Sequence, residues 1–181
     1  MAKKTEHYVD NAAFLAALRE WRAACHKAAT KHKESPPIPD YVGECFLKIA
    51  THLSYKPNFV NYTFRDDMIS DGVENCLVYI HNFDPEKSSN PFGYFTQIIY
   101  YAFIRRIQRE KKHTYIKYKL MEQQVIAGGA STPAPDGTST PADGAMLNFD
   151  NVKDFIHRFD SYTASRRERR RQAKSEKGIL G

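Results

Sequence analysis

Apolar side chains return every three or four residues along the first 110 positions of the chain, the spacing of helices with one buried face. Phe14, Leu18, Trp21 and Cys25 predict a first helix over residues 11–31, with Asp10 or Asn11 able to cap its start. SPPIPD at 35–40 breaks the pattern, because its prolines fix φ and remove donors. Val42, Cys45, Phe46, Ile49 and Leu53 predict a second helix over 41–53. The third begins at YTFRDDM, where Thr63 and Asp66 have capping-box spacing, and Ile69, Val73, Leu77 and Ile80 then share a face. HNFDPEKSSNP closes it. Asn90 is the expected cap of a fourth helix that opens on Pro91 and runs to about residue 112 or beyond. Its core stripe is Phe92, Phe95, Ile99, Phe103 and, more loosely, Ile107.

Periodicity stops at AGGASTPAPDGTSTPADGA, a low-complexity stretch that cannot support a packed core. It resumes with Val152, Phe155, Ile156 and Phe159, predicting a helix over residues 148–172. No strand and no internal repeat is expected. The predicted fold is all-α: a compact helical domain over residues 1–125, a flexible linker over 126–147, and a C-terminal helix with a basic tail over 148–181.

Charge adds a second layer. The 181 residues carry a formal charge of +6, concentrated in two segments. Residues 105–119 hold seven Lys/Arg against one acid, and 166–177 hold seven against two. The middle of the chain, residues 64–86, is acidic. This asymmetry suggests two kinds of partner, with nucleic acid the leading anionic one. The N-terminus has no apolar segment of a secretory signal, and no run approaches the 18 apolar residues of a membrane span. Cys25, Cys45 and Cys76 are far apart and lack zinc-like pairing, which predicts reduced thiols in a cytoplasmic protein. No phosphate loop, HExxH or defensible nucleophile–base set is present, so neither an enzyme nor a cofactor is expected, and no metal site.

Binding is therefore the chemistry to look for. Asp67, Ser70, Asp71 and Glu74 fall at i, i+3, i+4 and i+7, on one face of the third helix. Such a face is either simply solvated or docks a basic partner helix. On the fourth helix, the side opposite the core stripe carries Tyr94, Gln97, Ile98, Tyr101, Arg105, Gln108 and Arg109. Tyrosine beside arginine suits an unpaired nucleic-acid strand, since rings stack on bases while guanidinium groups follow phosphates. The alternative is that these tyrosines pack on the first two helices.

The segments DMISDG (67–72), FD (83–84) and FGYFTQIIYYAFIRRIQRE (92–110) resemble region two of bacterial sigma factors. There a D-L-I-Q-E-G-like helix is followed by an F-D-like junction and an F-S-T-Y-A-like start of a basic helix. DDMISDGVENCLVYIHNFD, NPFGYFTQ, AFIRRIQREKK and the aromatic-leading FLAALREW are more closely similar to the small, divergent late-transcription sigma factors of T-even-type bacteriophages. The resemblance spans roughly residues 8–120, with several spaced motifs in order.

The resemblance implies a transcription initiation factor in the cytoplasm of an infected bacterial host. It would bind host core RNA polymerase and open late promoters with a TATA-like element. Asp67, Ser70, Asp71, Glu74 and Leu77 would bind a coiled coil of the polymerase's largest subunit. The next helix would capture the non-template strand of promoter DNA through Tyr94, Phe95, Gln97, Ile98, Tyr101, Arg105, Arg106, Arg109 and Lys112. The family's stacking aromatic aligns with Phe95, which periodicity places in the core; either Phe95 serves both roles, or Tyr94 or Tyr101 takes the exposed one. The family's tryptophan pair aligns with Ile98 and Ile99, so that wedge is missing, and its DNA-reading glutamine aligns with Ala102. No region-four domain is expected. Phe149, Phe155, Ile156 and Phe159 are candidates for contact with a phage sliding clamp or with the polymerase flap. The run 166–171 either touches DNA phosphates or is a solvated tail. A rival reading is a single-stranded nucleic-acid binder, or accessory transcription protein, without promoter specificity.

Overall fold

The computed structural model describes residues 8–126 and 143–179, and within these the side chains of 8–123 and 151–173. The protein is all-helical, as the periodicity predicts: α1 (Asn11–Thr30), α2 (Asp40–Ser54), α3 (Arg65–Tyr79), α4 (Pro91–Ile126) and α5 (Asp143–Ile179), with a short 3-10 turn, Ile80–Asn82, after α3. No strand occurs among the described residues. Of the linker predicted over 126–147, residues 127–142 lie outside them, and the last five, 143–147, are already part of α5. The chain divides into two compact units, Met1–Gln108 and Arg109–Gly181. That boundary lies inside α4.

The first unit is built on phenylalanines. Phe95 is fully buried among Phe46, Phe83 and Phe14, with ring centroids 4.6, 5.6 and 5.7 Å away. A second cluster joins Phe103 to Phe59, 5.2 Å apart and nearly perpendicular. Phe59 comes from the α2–α3 connection and pins that loop to α4. Burying each such ring contributes about 2–3 kcal/mol.

Helix ends follow local chemistry. Asp10 caps α1, its Oδ1 accepting from Ala12 N at 2.8 Å and Ala13 N at 3.3 Å. Asn11 is thereby released to bond elsewhere. Its Oδ1 accepts from Phe92 N at 3.1 Å and its Nδ2 donates to Ser89 O at 3.2 Å. The first residue of α1 thus serves the first turn of α4. Asn90 completes that turn, accepting from Gly93 N at 3.0 Å. At the other end of α1, Lys33 N and His32 N return to Ala28 O and Ala29 O, and His32 takes φ 51°, a left-handed position usually held by glycine. The SPPIPD break is anchored by the Trp21 indole, which donates to Pro36 O.

Two expectations for α3 fail. Its N-cap is Phe64, with no side-chain cap, so Thr63 closes no capping box; Asp66 and Asp67 in the first turn instead complement the helix dipole. The buried stripe is Met68, Gly72 and Cys76, not Ile69, Val73 and Leu77. Ile69 and Val73 are only half-buried at the edge of the core, and Leu77 is 40% exposed; Ile80 is buried as expected. The cause is close packing. A Cβ on Gly72 would come within 3.0 Å of Ile99 and 3.1 Å of Phe103, so the α3 backbone lies directly against α4. Gly72 permits that approach, and Ile69, Val73 and Leu77 are turned to its flanks.

In the second unit, the distal part of α4 pairs with α5. Tyr115 stacks on Phe159 at 4.5 Å, and Tyr118 meets Phe155 edge-on at 5.4 Å. The rising α4 numbers meet falling α5 numbers, so the two helices run antiparallel. Ile156 is buried in this hairpin, and the Tyr115 hydroxyl donates to Asp160 at 2.8 Å, a bond that raises the tyrosine pKa.

Candidate functional site

Gln97, Tyr101 and Arg105 stand at i, i+4 and i+8 on α4, and all three are exposed. Tyr101 presents half its surface to solvent. Its neighbour Tyr100, which helical spacing does not place on this face, is also exposed and meets Tyr101 edge-on at 5.8 Å and Phe59 at 5.6 Å. Tyr100 is thus braced by the buried Phe59, and Tyr101 meets Tyr100. The signal was the Tyr100–Tyr101 dipeptide itself: one of two adjacent helical residues must sit away from the predicted stripe. Arg105 is held by Asn75 of α3, its Nη2 donating to Oδ1 at 2.6 Å.

Other residues expected on this face are elsewhere. Phe95 is fully buried and cannot offer its ring to a base; packing among three phenylalanines claims it. Tyr94 is half-buried, with its ring 5.1 Å from both Phe83 and Phe95, and Ile98 is half-buried against the core. Arg106 points to α3. Its Nη2 lies 3.4 Å from Asp67 Oδ2 and its Nε 3.3 Å from Asp71 Oδ2, with only 17% of the side chain exposed. On a wheel of 100° per residue Arg106 falls about 20° from Phe95, so its inward course was readable. It is a tie between helices, not an exposed phosphate contact. Arg109 and Lys112 are exposed and belong to the second unit.

The acidic residues of α3 divide likewise. Ser70 and Glu74 are exposed, and the Ser70 hydroxyl donates to Asp66 O within the helix. Asp67 keeps 61% of its side chain in solvent despite its ion pair, whereas Asp71 is 22% exposed and largely committed to Arg106. Continuing the same face, Leu77 and Val78 are exposed, followed by Tyr79. The stripe therefore passes from acidic to apolar along α3. This combination suits a basic, amphipathic partner helix better than solvent alone.

The apolar residues assigned to an outside clamp or flap are occupied. Phe155 and Phe159 contact Tyr118 and Tyr115, and Ile156 is buried, because an amphipathic helix covers its stripe on the nearest available neighbour. Phe149 lies outside the residues whose side chains are described.

Among the described residues no group of three His, Cys, Asp or Glu side chains could hold a metal ion, and no helix is long and apolar enough to cross a membrane. Burial raises the Cys76 pKa to about 12 and also raises those of Cys45 and Cys25. No protein-family model matches the chain, and no curated protein is significantly similar to it.

Proposed function

We propose that the protein is a promoter-specificity subunit of the sigma region-two kind, which docks on host core RNA polymerase and helps open TATA-like late phage promoters. One observation carries the reading: adjacent helices of one unit present two accessible stripes of opposite chemistry. Asp67, Ser70, Glu74, Leu77 and Val78 lie along α3; Gln97, Tyr101 and Arg105, flanked by Tyr100, lie along α4. The first would hold a basic coiled coil of the polymerase. The second would trap the non-template strand.

The energetics suit such a division. Melting costs on the order of 1.4 kcal/mol per base-pair step. Stacking on an exposed ring returns about 1–3 kcal/mol per base. Two tyrosines can therefore offset the opening of a few steps, and TA steps unstack most readily. Phe95 has no direct part; it fixes the helix that carries Tyr100 and Tyr101.

The test is reconstitution. Core polymerase with this protein is expected to initiate on supercoiled DNA carrying a TATA-like late promoter, with permanganate-reactive thymines at the melted site. Core polymerase that neither binds the protein nor gains promoter opening would refute the proposal. Tight, sequence-blind binding of single-stranded DNA without polymerase would favour a plain strand binder.

A further inference from the structure

The charge of the chain is not shared between its units. Residues 8–108 hold 11 Lys/Arg and 11 Asp/Glu, whereas 109–181 hold 14 Lys/Arg and nine Asp/Glu. The first unit is therefore close to neutral, and almost all of the net +6 lies in the second. Within that unit the densest positive segment is RRERRR on α5, where Arg166, Arg167, Arg169, Arg170 and Arg171 are all exposed. None of the five has an ion-pair partner among the described residues.

Their register is informative. Arg166 and Arg170 stand seven and eleven positions after Phe159, and Arg167 eleven after Ile156. Those spacings keep them on the helical face that Phe155, Ile156 and Phe159 use to pack on α4. After Thr163 the stripe changes from apolar to arginine without leaving its line. Arginines at 166 and 170, and at 167 and 171, also repel one another along the helix. A face in packing register that is exposed, unpaired and self-repelling fits an external polyanion.

We infer that this arginine face of α5 binds the phosphate backbone of duplex DNA, without reading sequence. The chemistry favours duplex over single strand, since residues 163–173 hold no ring and the exposed Tyr162 beside them offers a single stacking surface against five cations. It disfavours a lipid surface, since Ala164 and Ala173 are the only apolar residues from 164 to 173 and neither can insert. The planar guanidinium fork suits phosphate oxygens. This site is separate from the strand-capturing residues of α4 in the first unit, and its test needs no polymerase, so either reading can fail alone.

The experiment measures binding of the full chain to blunt, random-sequence duplex DNA across a salt series. Each phosphate neutralised contributes a slope of about −0.9 in log K against log salt. Substituting Arg166→Gln, Arg167→Gln and Arg170→Gln together is expected to make the slope shallower by roughly 2–3. The corresponding triple lysine variant should restore most of it, because charge at those positions is what acts. Circular dichroism of both variants checks that the helix persists. An unchanged slope and affinity in the glutamine variant would overturn the inference. So would a loss confined to binding of phosphatidylserine vesicles, with duplex binding intact, or failure of the lysine variant to restore binding while fully helical.

Discussion

At the scale of single residues, two neighbours on α4 have opposite duties. Arg105 is exposed and bonded to Asn75, whereas Arg106 is mostly enclosed between Asp67 and Asp71. Arg106→Ala should therefore destabilise the protein by about 1–2 kcal/mol, between the values for exposed and buried ion pairs, because it leaves Asp71 without its counter-charge. Arg105→Ala should cost about 0.5 kcal/mol or less. Urea unfolding of both variants checks the contrast, and equal losses would contradict the assignment. Cys76 supplies a second residue-scale test. Its thiol is raised from 9.0 to about 12 by burial, so above pH 9 the unfolded chain ionises while the folded one does not. Stability from this group is thus full below pH 9 and falls by up to about 1.4 kcal/mol per pH unit between pH 9 and 12. The stability gap between the native protein and Cys76→Ala should narrow as pH rises from about 8.5 to about 10.5 in denaturant titrations; a constant gap would contradict the burial argument.

At the scale of elements, α1 and α2 were legible because each has one large-residue stripe and clear punctuation: Asp10 before the first, the 35–40 prolines between them. α3 was misread because periodicity weighs large side chains, while helix contact here is made by the absence of one. Gly72 lets the Ile99 and Phe103 side chains of α4 press against the α3 backbone, and no scale that rewards bulk marks it as inward. Of the two caps the sequence offers for α1, Asp10 takes the position, and Asn11 instead serves the start of α4, 81 positions away. Gly72→Ala separates propensity from packing. Alanine favours an isolated helix by about 1 kcal/mol. The new methyl would, however, meet Ile99 and Phe103, both fully buried and unable to retreat. Overpacking costs about 1–3 kcal/mol, so the net expectation is a loss of about 1 kcal/mol in thermal or urea unfolding. A gain would mean that the α3–α4 contact is looser than described.

At the scale of the whole molecule, the candidate faces were partly legible because solvent access and helical spacing agree at Gln97, Tyr101, Arg105, Ser70 and Glu74. They were obscured where one residue type could serve two ends: Phe95 is aromatic whether it stacks on a base or fills a core, and Arg106 is cationic whether it meets phosphate or carboxylate. Arg106 also makes the two faces physically adjacent, so variants must be chosen outside that ion pair to separate their functions. Glu74 and Tyr101 meet this condition, since neither takes part in it. Glu74→Lys reverses a charge on the α3 stripe and is expected to weaken core-polymerase binding about tenfold, since reversing one charge at a charged interface costs on the order of 1.4 kcal/mol. Tyr101→Ala removes a stacking surface of about 1–3 kcal/mol and should leave core binding unchanged while lowering the open-promoter fraction roughly five- to hundredfold. Fluorescence anisotropy for core binding and permanganate reactivity for opening read the two effects separately. If Tyr101→Ala weakens core binding as much as Glu74→Lys does, the stripes act as one surface, and the division between gripping the polymerase and trapping the strand does not hold.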